Sequence, residues 1–234
     1  MTIEPRLDIL GAALADPSRA RILCELMDGR AFTNKELAAA AGVTAQTASA
    51  HLGRLEAAGL TASLRSGRHV YHRIASAQVA EVLERLSTLS PTAHLDRPGR
   101  AAAETRRARS CYDHLAGRLG VLLAERLGEI GALERRGDTL APGQRFAAVL
   151  DDAGIGPLDL RAGRAPARLC LDWTERRPHL AGPLGRALAH RALDAGWVER
   201  RVGTRALIVT EDGFAAFGRC FGLERERIEG SPAS

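Results

Sequence analysis

The chain has 234 residues, 45% of them hydrophobic, and a formal net charge of +5, so it can form one large or two small packed domains. This composition excludes a disordered or fibrous protein. The sequence has no run of about 18 apolar residues and no signal-peptide pattern at its N-terminus, so we expect a cytoplasmic protein without a membrane partner.

The first half of the N-terminal region carries strong helix signals. Apolar residues recur at helical spacing before and after residues 16–18 (Asp-Pro-Ser), which predicts two helices separated by a stop and a restart. Thr33 and Glu36 have the spacing of a capping box, so a short helix is predicted over residues 36–41. Thr44 is predicted to cap a further helix that runs to about residue 58.

A basic β-hairpin is predicted after these helices, because residues 60–64 and 69–74 alternate polar with apolar side chains around the turn 65–68. Residues 44–73 contain four arginines and one glutamate, so the positive charge is concentrated there. Helix, turn, helix and hairpin in this order are typical of proteins that bind double-stranded DNA through the major groove and the flanking backbone. The residues predicted to contact DNA are Thr44, Gln46, Thr47, Ser49, His51, Arg54, Arg65, Ser66, Arg68 and His69.

Three segments between residue 6 and about residue 86 carry this pattern: LADPSRARILCEL, TNKELAAAAGVTAQTASAHLGRLEAAGL and RSGRHVYHRI. At these residues the chain resembles the ArsR/SmtB family of winged helix-turn-helix repressors. The resemblance implies a homodimer that binds an inverted repeat and is released by an effector. The usual metal sites of that family do not carry over, because residues 36–41 contain no cysteine or histidine and the last helix offers only Glu81 and Glu84.

The domain organisation follows from a change in composition at residues 88–104, where Ser, Thr, Pro, Gly and Ala without periodicity predict a linker. It separates a DNA-binding domain, residues 1–87, from a C-terminal effector-sensing and dimerisation domain, residues 105–234. Apolar spacing over residues 106–130 predicts one long helix. The predicted fold class is mainly α with small β-hairpins (α+β), and the helical C-terminal domain is open to interpretation as a second, degenerate winged helix.

The four cysteines lie far apart, which favours free thiols or ligands over disulfides. Cys24 follows an apolar helical pattern and is predicted to be buried. Two of the others belong to a near-repeat: Cys-x-Asp followed by His-Leu-Ala-Gly-x-Leu-Gly begins at Cys111 and again, with six residues inserted, at Cys170. Thiolates with the imidazoles of His114 and His179 suit Zn²⁺ or another thiophilic metal if the two copies meet. Cys111 and His114, three residues apart, are expected to share a helix face.

Other roles for the near-repeat stay open. One is an organic effector in an apolar pocket lined by Tyr112, Trp173 and Trp197. Another is redox sensing by a Cys111 thiolate, and a third is a purely structural role in which the aspartates cap helices. The candidate effector residues are Tyr112, Asp113, Asp172 and Trp173.

Catalysis is not expected, and no catalytic residue is assigned. The sequence has no nucleophile elbow, no phosphate-cradling glycine loop and no paired-carboxylate signature. Two alternatives to a regulator stay open. One is an enzyme fused to a winged helix, with the Cys/His sets as nucleophile and base, and the other is a protein-interaction adaptor without sequence-specific affinity for DNA.

Overall fold

The computed structural model describes residues 4–91, 99–137, 139–158, 160, 165–201 and 203–230. The chain divides into two compact units, unit 1 (residues 1–83) and unit 2 (residues 84–234). Within the described ranges, no helix combines the length and the apolar character that a membrane crossing requires.

Unit 1 contains four helices before its hairpin: α1 (Leu7–Leu14), α2 (Pro17–Leu26), α3 (Asn34–Ala41) and α4 (Ala45–Ala57). The predicted stop and restart is confirmed at Asp16, whose carboxylate accepts hydrogen bonds from two backbone amides at the start of α2. Thr33 and Glu36 form the predicted capping box of α3. Thr44 caps α4 by accepting a hydrogen bond from a backbone amide of its first turn.

A three-stranded antiparallel sheet completes unit 1. Its strands are β1 (Phe32–Thr33), β2 (Thr61–Ser66) and β3 (His69–Ile74), in the order β1-β3-β2. Strand β3 has the predicted bounds, whereas β2 extends further than predicted and confines the turn to Gly67 and Arg68. Gly67 has a φ of 56°, which a two-residue hairpin turn requires at its first position. Helix α5 (Ala77–Leu89) follows, and the division between the two units falls within it.

The burial of Cys24 is a prediction that proved wrong. Helix α2 buries Ile22, Leu23 and Leu26, while Cys24 is exposed. Each residue turns about 100° around a helix axis, so the neighbour of a buried leucine reaches solvent where only one face of the helix is covered.

Unit 2 consists of two copies of one arrangement: a β-hairpin, a helix, a second β-hairpin and a shorter helix. The first copy comprises β4 (Arg109–Cys111), β5 (His114–Ala116), α7 (Gly117–Glu129), β6 (Leu133–Arg136), β7 (Thr139–Pro142) and α8 (Phe146–Asp152). The second comprises β8 (Arg168–Leu171), β9 (Pro178–Ala181), α9 (Gly182–Asp194), β10 (Val198–Arg200), β11 (Leu207–Val209) and α10 (Glu211–Phe221). Helices α6 (Arg100–Arg107) and α11 (Arg225–Glu229) lie outside the copies in sequence. Each copy therefore contains the helix, hairpin, helix order of a degenerate winged helix.

The single long helix predicted over residues 106–130 is wrong. Helix α6 ends at Arg107, the hairpin β4–β5 intervenes, and α7 begins at Gly117. Tyr112 (φ 58°) and Gly117 (φ 72°) adopt left-handed backbone conformations, which cannot continue a right-handed helix. Of the predicted linker 88–104, residues 92–98 lie outside the described ranges and residues 100–104 are helical.

Two glycines set how closely the two copies approach. Gly120 in α7 and Gly185 in α9 are equivalent positions, and a Cβ added at either would lie 2.4 Å from the carbonyl oxygen five residues earlier. The same added Cβ atoms would lie 3.4 Å from the Cβ of His179 and 3.3 Å from that of His114, respectively. Each helix therefore packs against the histidine of the other copy, which brings the two imidazoles together.

Candidate functional site

Four side chains of the near-repeat converge in unit 2. Cys111 faces His114 across the hairpin β4–β5, and Cys170 faces His179 across β8–β9. Their four potential ligand atoms all lie within 4.8 Å of one another, and the two Nε2 atoms are 3.1 Å apart. The two copies thus meet as the metal hypothesis requires. The prediction that Cys111 and His114 share a helix face is wrong, because they pair across two strands.

Each histidine is held by the aspartate of its own Cys-x-Asp motif. Nδ1 of His114 lies 3.0 Å from Oδ1 of Asp113, and Nδ1 of His179 lies 3.3 Å from Oδ2 of Asp172. A carboxylate beside Nδ1 favours the proton on that nitrogen. Both Nε2 atoms therefore point toward the centre of the cluster formed by Cys111, His114, Cys170 and His179.

The charge state of the sulfurs follows from contacts inside the cluster. The hydrogen bond from Cys111, together with those from the two histidines, holds the pKa of Cys170 well below its usual value. Burial, followed by this same hydrogen bond to Cys170, raises the pKa of Cys111. Burial lowers the pKa of His114, but its contacts with Asp113 and Cys170 outweigh burial, so the pKa is raised. The cluster therefore stabilises a thiolate on Cys170, which accepts hydrogen bonds from Cys111 and from the two histidines.

A buried ion-pair network lies behind the cluster. The side chain of Arg109 is fully buried, with its Nη2 atom 3.0 Å from Asp172 and 3.5 Å from Glu84. Glu84 also pairs with Arg205 at 3.2 Å, and the Arg109 guanidinium stacks on the Trp173 ring at 4.3 Å. Two carboxylates thus balance two guanidiniums where little water reaches them. The sequence did not predict the burial of Arg109 and Arg205, since nothing in their local pattern distinguishes a buried arginine from the many exposed ones.

Asp172 is placed as a structural acceptor, which corrects its assignment as an effector contact. Its carboxylate accepts hydrogen bonds from the backbone amides of Gly117 at 2.7 Å and Thr174 at 2.9 Å, as well as from Arg109. Burial raises the pKa of this carboxyl, but the contact with His179 and the charge of Arg109 lower it far more. With these partners its oxygens are saturated, so an effector would have to displace them.

The other effector candidates lie in the two hairpin turns, Tyr112 and Asp113 in the first and Trp173 in the second. Trp197 instead packs on Phe217, at 5.6 Å between ring centroids. A cavity of about 10 Å³ between the copies has room for about one water, whereas organic ligands occupy pockets of about 300 Å³ or more. It is lined by Leu115, Gly120, Leu123, Leu180, Gly185 and Leu188, so none of the three aromatic residues lines it.

In unit 1 the structure exposes most of the residues predicted to contact DNA. Helix α4 buries Ala48, Leu52 and Leu55, which recur at helical spacing. Exposed side chains on α4 and its cap are Thr44, Gln46, Thr47, Ser49 and Arg54. Exposed side chains on the hairpin are Arg65, Ser66, Arg68 and His69. We call the first set the polar face of α4 and the second set the basic hairpin.

His51 is the exception, and its assignment as a groove-facing residue is corrected. Its side chain is only 12% exposed, with Nδ1 3.3 Å from the Arg19 guanidinium and Nε2 3.8 Å from Asp16. Asp16 caps α2, so His51 fastens α4 to the start of α2. A histidine at this position in the helix pattern was compatible with either side of the helix.

Comparisons with known proteins find related HTH-type regulators. A model described as a helix-turn-helix domain matches residues 14–63. The uncharacterized HTH-type transcriptional regulator YdfF of Bacillus subtilis (strain 168) is 39% identical over 218 residues, which cover 92% of this chain and 96% of YdfF. The HTH-type transcriptional regulator CmtR of Mycobacterium tuberculosis (strain H37Rv) is 38% identical over 95 residues, 41% of this chain and 80% of CmtR. The NMR structure of the cadmium metal-sensor CmtR from Mycobacterium tuberculosis covers 39% of this chain and 95% of its own, at 37% identity and a TM-score of 0.31.

The match to YdfF is long enough to include both units, so the second unit is shared with another regulator and is not an isolated addition. The helix-turn-helix model falls within unit 1, on the helices whose caps and burial were described above. From its motifs, its fold and these relatives, the chain belongs to the ArsR/SmtB family of HTH-type transcriptional regulators.

Proposed function

We propose that this chain is a cytoplasmic repressor that binds an inverted-repeat operator in double-stranded DNA as a homodimer and releases it when an effector binds. In this proposal residues 1–87 bind DNA, and residues 105–234 sense the effector and contribute to dimerisation. The observation that carries the proposal is the polar face of α4, exposed beside a basic hairpin on a chain whose relatives are HTH-type regulators.

The chemistry of the polar face supports base reading. Gln46 suits a bidentate pair with adenine, and Arg54 suits one with guanine. The Thr44 and Thr47 hydroxyls stand at the N-terminus of α4, 2.9 Å apart, where hydroxyls and free backbone amides suit phosphate oxygens. In a dimer, two such helices would enter successive major grooves about 34–36 Å apart.

Selection of bound duplexes from a random library, using the full chain, tests this proposal. We expect the enriched sequences to contain an inverted repeat with half-sites about one helical turn apart. Binding without enrichment, at an affinity set by salt alone, would contradict a sequence-specific repressor and favour the adaptor alternative.

Replacing Gln46 by alanine is expected to relax sequence preference. The loss should be about 1–3 kcal/mol for the operator base pair that Gln46 reads, and near zero for non-specific DNA, because only base-edge hydrogen bonds are removed. Anisotropy titrations of a set of operators with single base changes measure this. Gln78→Ala, at an exposed glutamine on α5, is the matched control and should leave the preference unchanged.

Replacing Arg68 by alanine is expected to have the opposite pattern. Arg68 lies in the hairpin turn, with its Nε donating to His69 at 3.2 Å, and a guanidinium there suits the phosphate backbone. Affinity should fall by a similar factor for all sequences, and the slope of log K against log salt should decrease by about 0.9. Arg219→Ala removes an exposed arginine from unit 2. If affinity and salt slope changed equally in that variant, the cause would be the net charge of the protein and not the hairpin.

A further inference from the structure

We propose that Cys111, His114, Cys170 and His179 form a closed four-ligand site for one thiophilic divalent cation such as Zn²⁺, and that this cation is the effector. The assignment of the cation as effector rests on the proposed function, whereas the existence of the site does not. The site differs from the positions considered above on the resemblance to the family, because none of its ligands comes from α3 or α5.

The geometry already approaches a tetrahedral shell. Two imidazole nitrogens bound to Zn²⁺ at about 2.0–2.1 Å would stand roughly 3.3 Å apart, and the Nε2 atoms of His114 and His179 are 3.1 Å apart. Two thiolates bound at about 2.3 Å would stand roughly 3.8 Å apart, and no two ligand atoms of the cluster are more than 4.8 Å apart. A contraction of at most roughly 1.3 Å in any one of these distances therefore closes the shell.

The carboxylates beside the histidines fit metal ligation. Asp113 and Asp172 occupy the Nδ1 sides, so the two Nε2 atoms face each other across 3.1 Å and are the nitrogens left to bind a cation. Two facing lone pairs repel each other unless a proton or a cation lies between them. Histidine ligands in metal sites are oriented by just such carboxylates at the second ring nitrogen.

The charges also fit a divalent cation. Two thiolates and two neutral imidazoles compensate a charge of +2, which a buried site requires. Sulfur ligands select thiophilic metals over Mg²⁺ and Ca²⁺, which prefer oxygen. Four protein ligands leave no open coordination position, which is the arrangement of structural and regulatory sites, not of catalytic ones. Cys170 is only half-buried, so the cation has a route from solvent.

The site is joined to helix α5 by the buried ion-pair network. Asp172 contacts His179 on one side and Arg109 on the other, and Arg109 lies 3.5 Å from Glu84 of α5. A cation that draws His179 toward the other three ligands would pull on this chain of contacts. Helix α5 contains the division between the two units, so it is a suitable element to carry the change.

Cobalt(II) titration of the full chain tests the site. The protein is purified under reducing conditions, stripped with a chelator and titrated with Co²⁺. We expect thiolate-to-cobalt charge transfer and the intense visible bands of tetrahedral cobalt, saturating at about one equivalent per chain and displaced by Zn²⁺. Absence of these bands, or coordination by oxygen alone, would overturn the proposal.

Four variants test the assignment of the ligands. Cys111→Ser and His179→Gln should each lose the tetrahedral spectrum, whereas Cys24→Ser, at an exposed cysteine of unit 1, should retain it. Asp113→Asn keeps all four ligands and should weaken Co²⁺ binding by about 10–100-fold, so it tests the site even where a ligand variant fails to fold. A spectrum that survives in both ligand variants would place the metal elsewhere.

The role as effector has its own readout. We expect one equivalent of Zn²⁺ to weaken the affinity for the selected operator by about 5–150-fold, the usual range of allosteric coupling. A chain that binds Co²⁺ and the operator, with no change of operator affinity on adding Zn²⁺, would overturn the effector role alone. A chain that binds Co²⁺ but enriches no operator would contradict the proposed function and leave the metal site standing.

Discussion

Replacing Asp172 by asparagine is expected to lower the free energy of unfolding of unit 2 by about 3–5 kcal/mol, the usual cost of removing one partner from a buried ion pair. Asp172 is fully buried, and its oxygens accept hydrogen bonds from Arg109 and from backbone amides, including that of Gly117. Asparagine keeps the shape but removes the charge and turns an amide group toward one set of donors. Among the described residues, Arg109 would then keep Glu84, at 3.5 Å, as its one charged partner.

Denaturant unfolding of the metal-free full chain measures this loss, with the transition of each unit followed separately. Asp113→Asn is the matched control, because Asp113 holds the equivalent place in the first copy but is only half-buried beside the exposed Arg186. That variant should cost about 1 kcal/mol or less. Arg109→Met combined with Asp172→Asn should cost less than the sum of the two single changes, because the pair is then removed together. Additive losses would show that the two side chains do not act as a pair.

The fold of unit 1 could be predicted from the sequence because its signals are local. The capping box at Thr33, the cap at Thr44 and the hairpin turn each involve residues within a few positions of one another, and the inward positions of α4 follow from helical spacing. His51 and Cys24 were misplaced because their side depends on which neighbouring helix covers them. That is tertiary information, which no local pattern contains.

Unit 2 was harder to predict because its boundaries depend on single residues with unusual backbone conformations. Helical spacing of leucines from Leu115 onward extended the predicted helix backwards through Tyr112, a non-glycine residue whose φ is positive. The near-repeat was nevertheless sufficient to group the Cys and His residues correctly, because equivalent positions in two packed copies face each other. The supporting network was not predictable, since Glu84, Arg109 and Asp172 lie far apart in sequence.

Helix α7 carries Gly120 where it packs against β9 of the other copy, and α9 carries Gly185 where it packs against β5. Gly120→Ala is therefore expected to lower the free energy of unfolding of unit 2 by about 3 kcal/mol or more, the upper range for overpacking a core. The new Cβ would lie 2.4 Å from a backbone carbonyl oxygen, which cannot rotate away as a flexible side chain can, and 3.4 Å from the Cβ of His179. The displacement should also separate the histidines and weaken Co²⁺ binding.

Gly128→Ala in the same helix separates this packing effect from helix propensity. A Cβ at Gly128 would have no atom within 4 Å, so the change should leave stability unchanged or raise it by up to about 1 kcal/mol. Denaturant unfolding and Co²⁺ titration of both variants give two independent readouts. If the two variants have the same free energy of unfolding and the same affinity for Co²⁺, the glycine contact does not hold the copies together. The convergence of the Cys and His ligands would then have to depend on the hairpins and the Asp172 network alone.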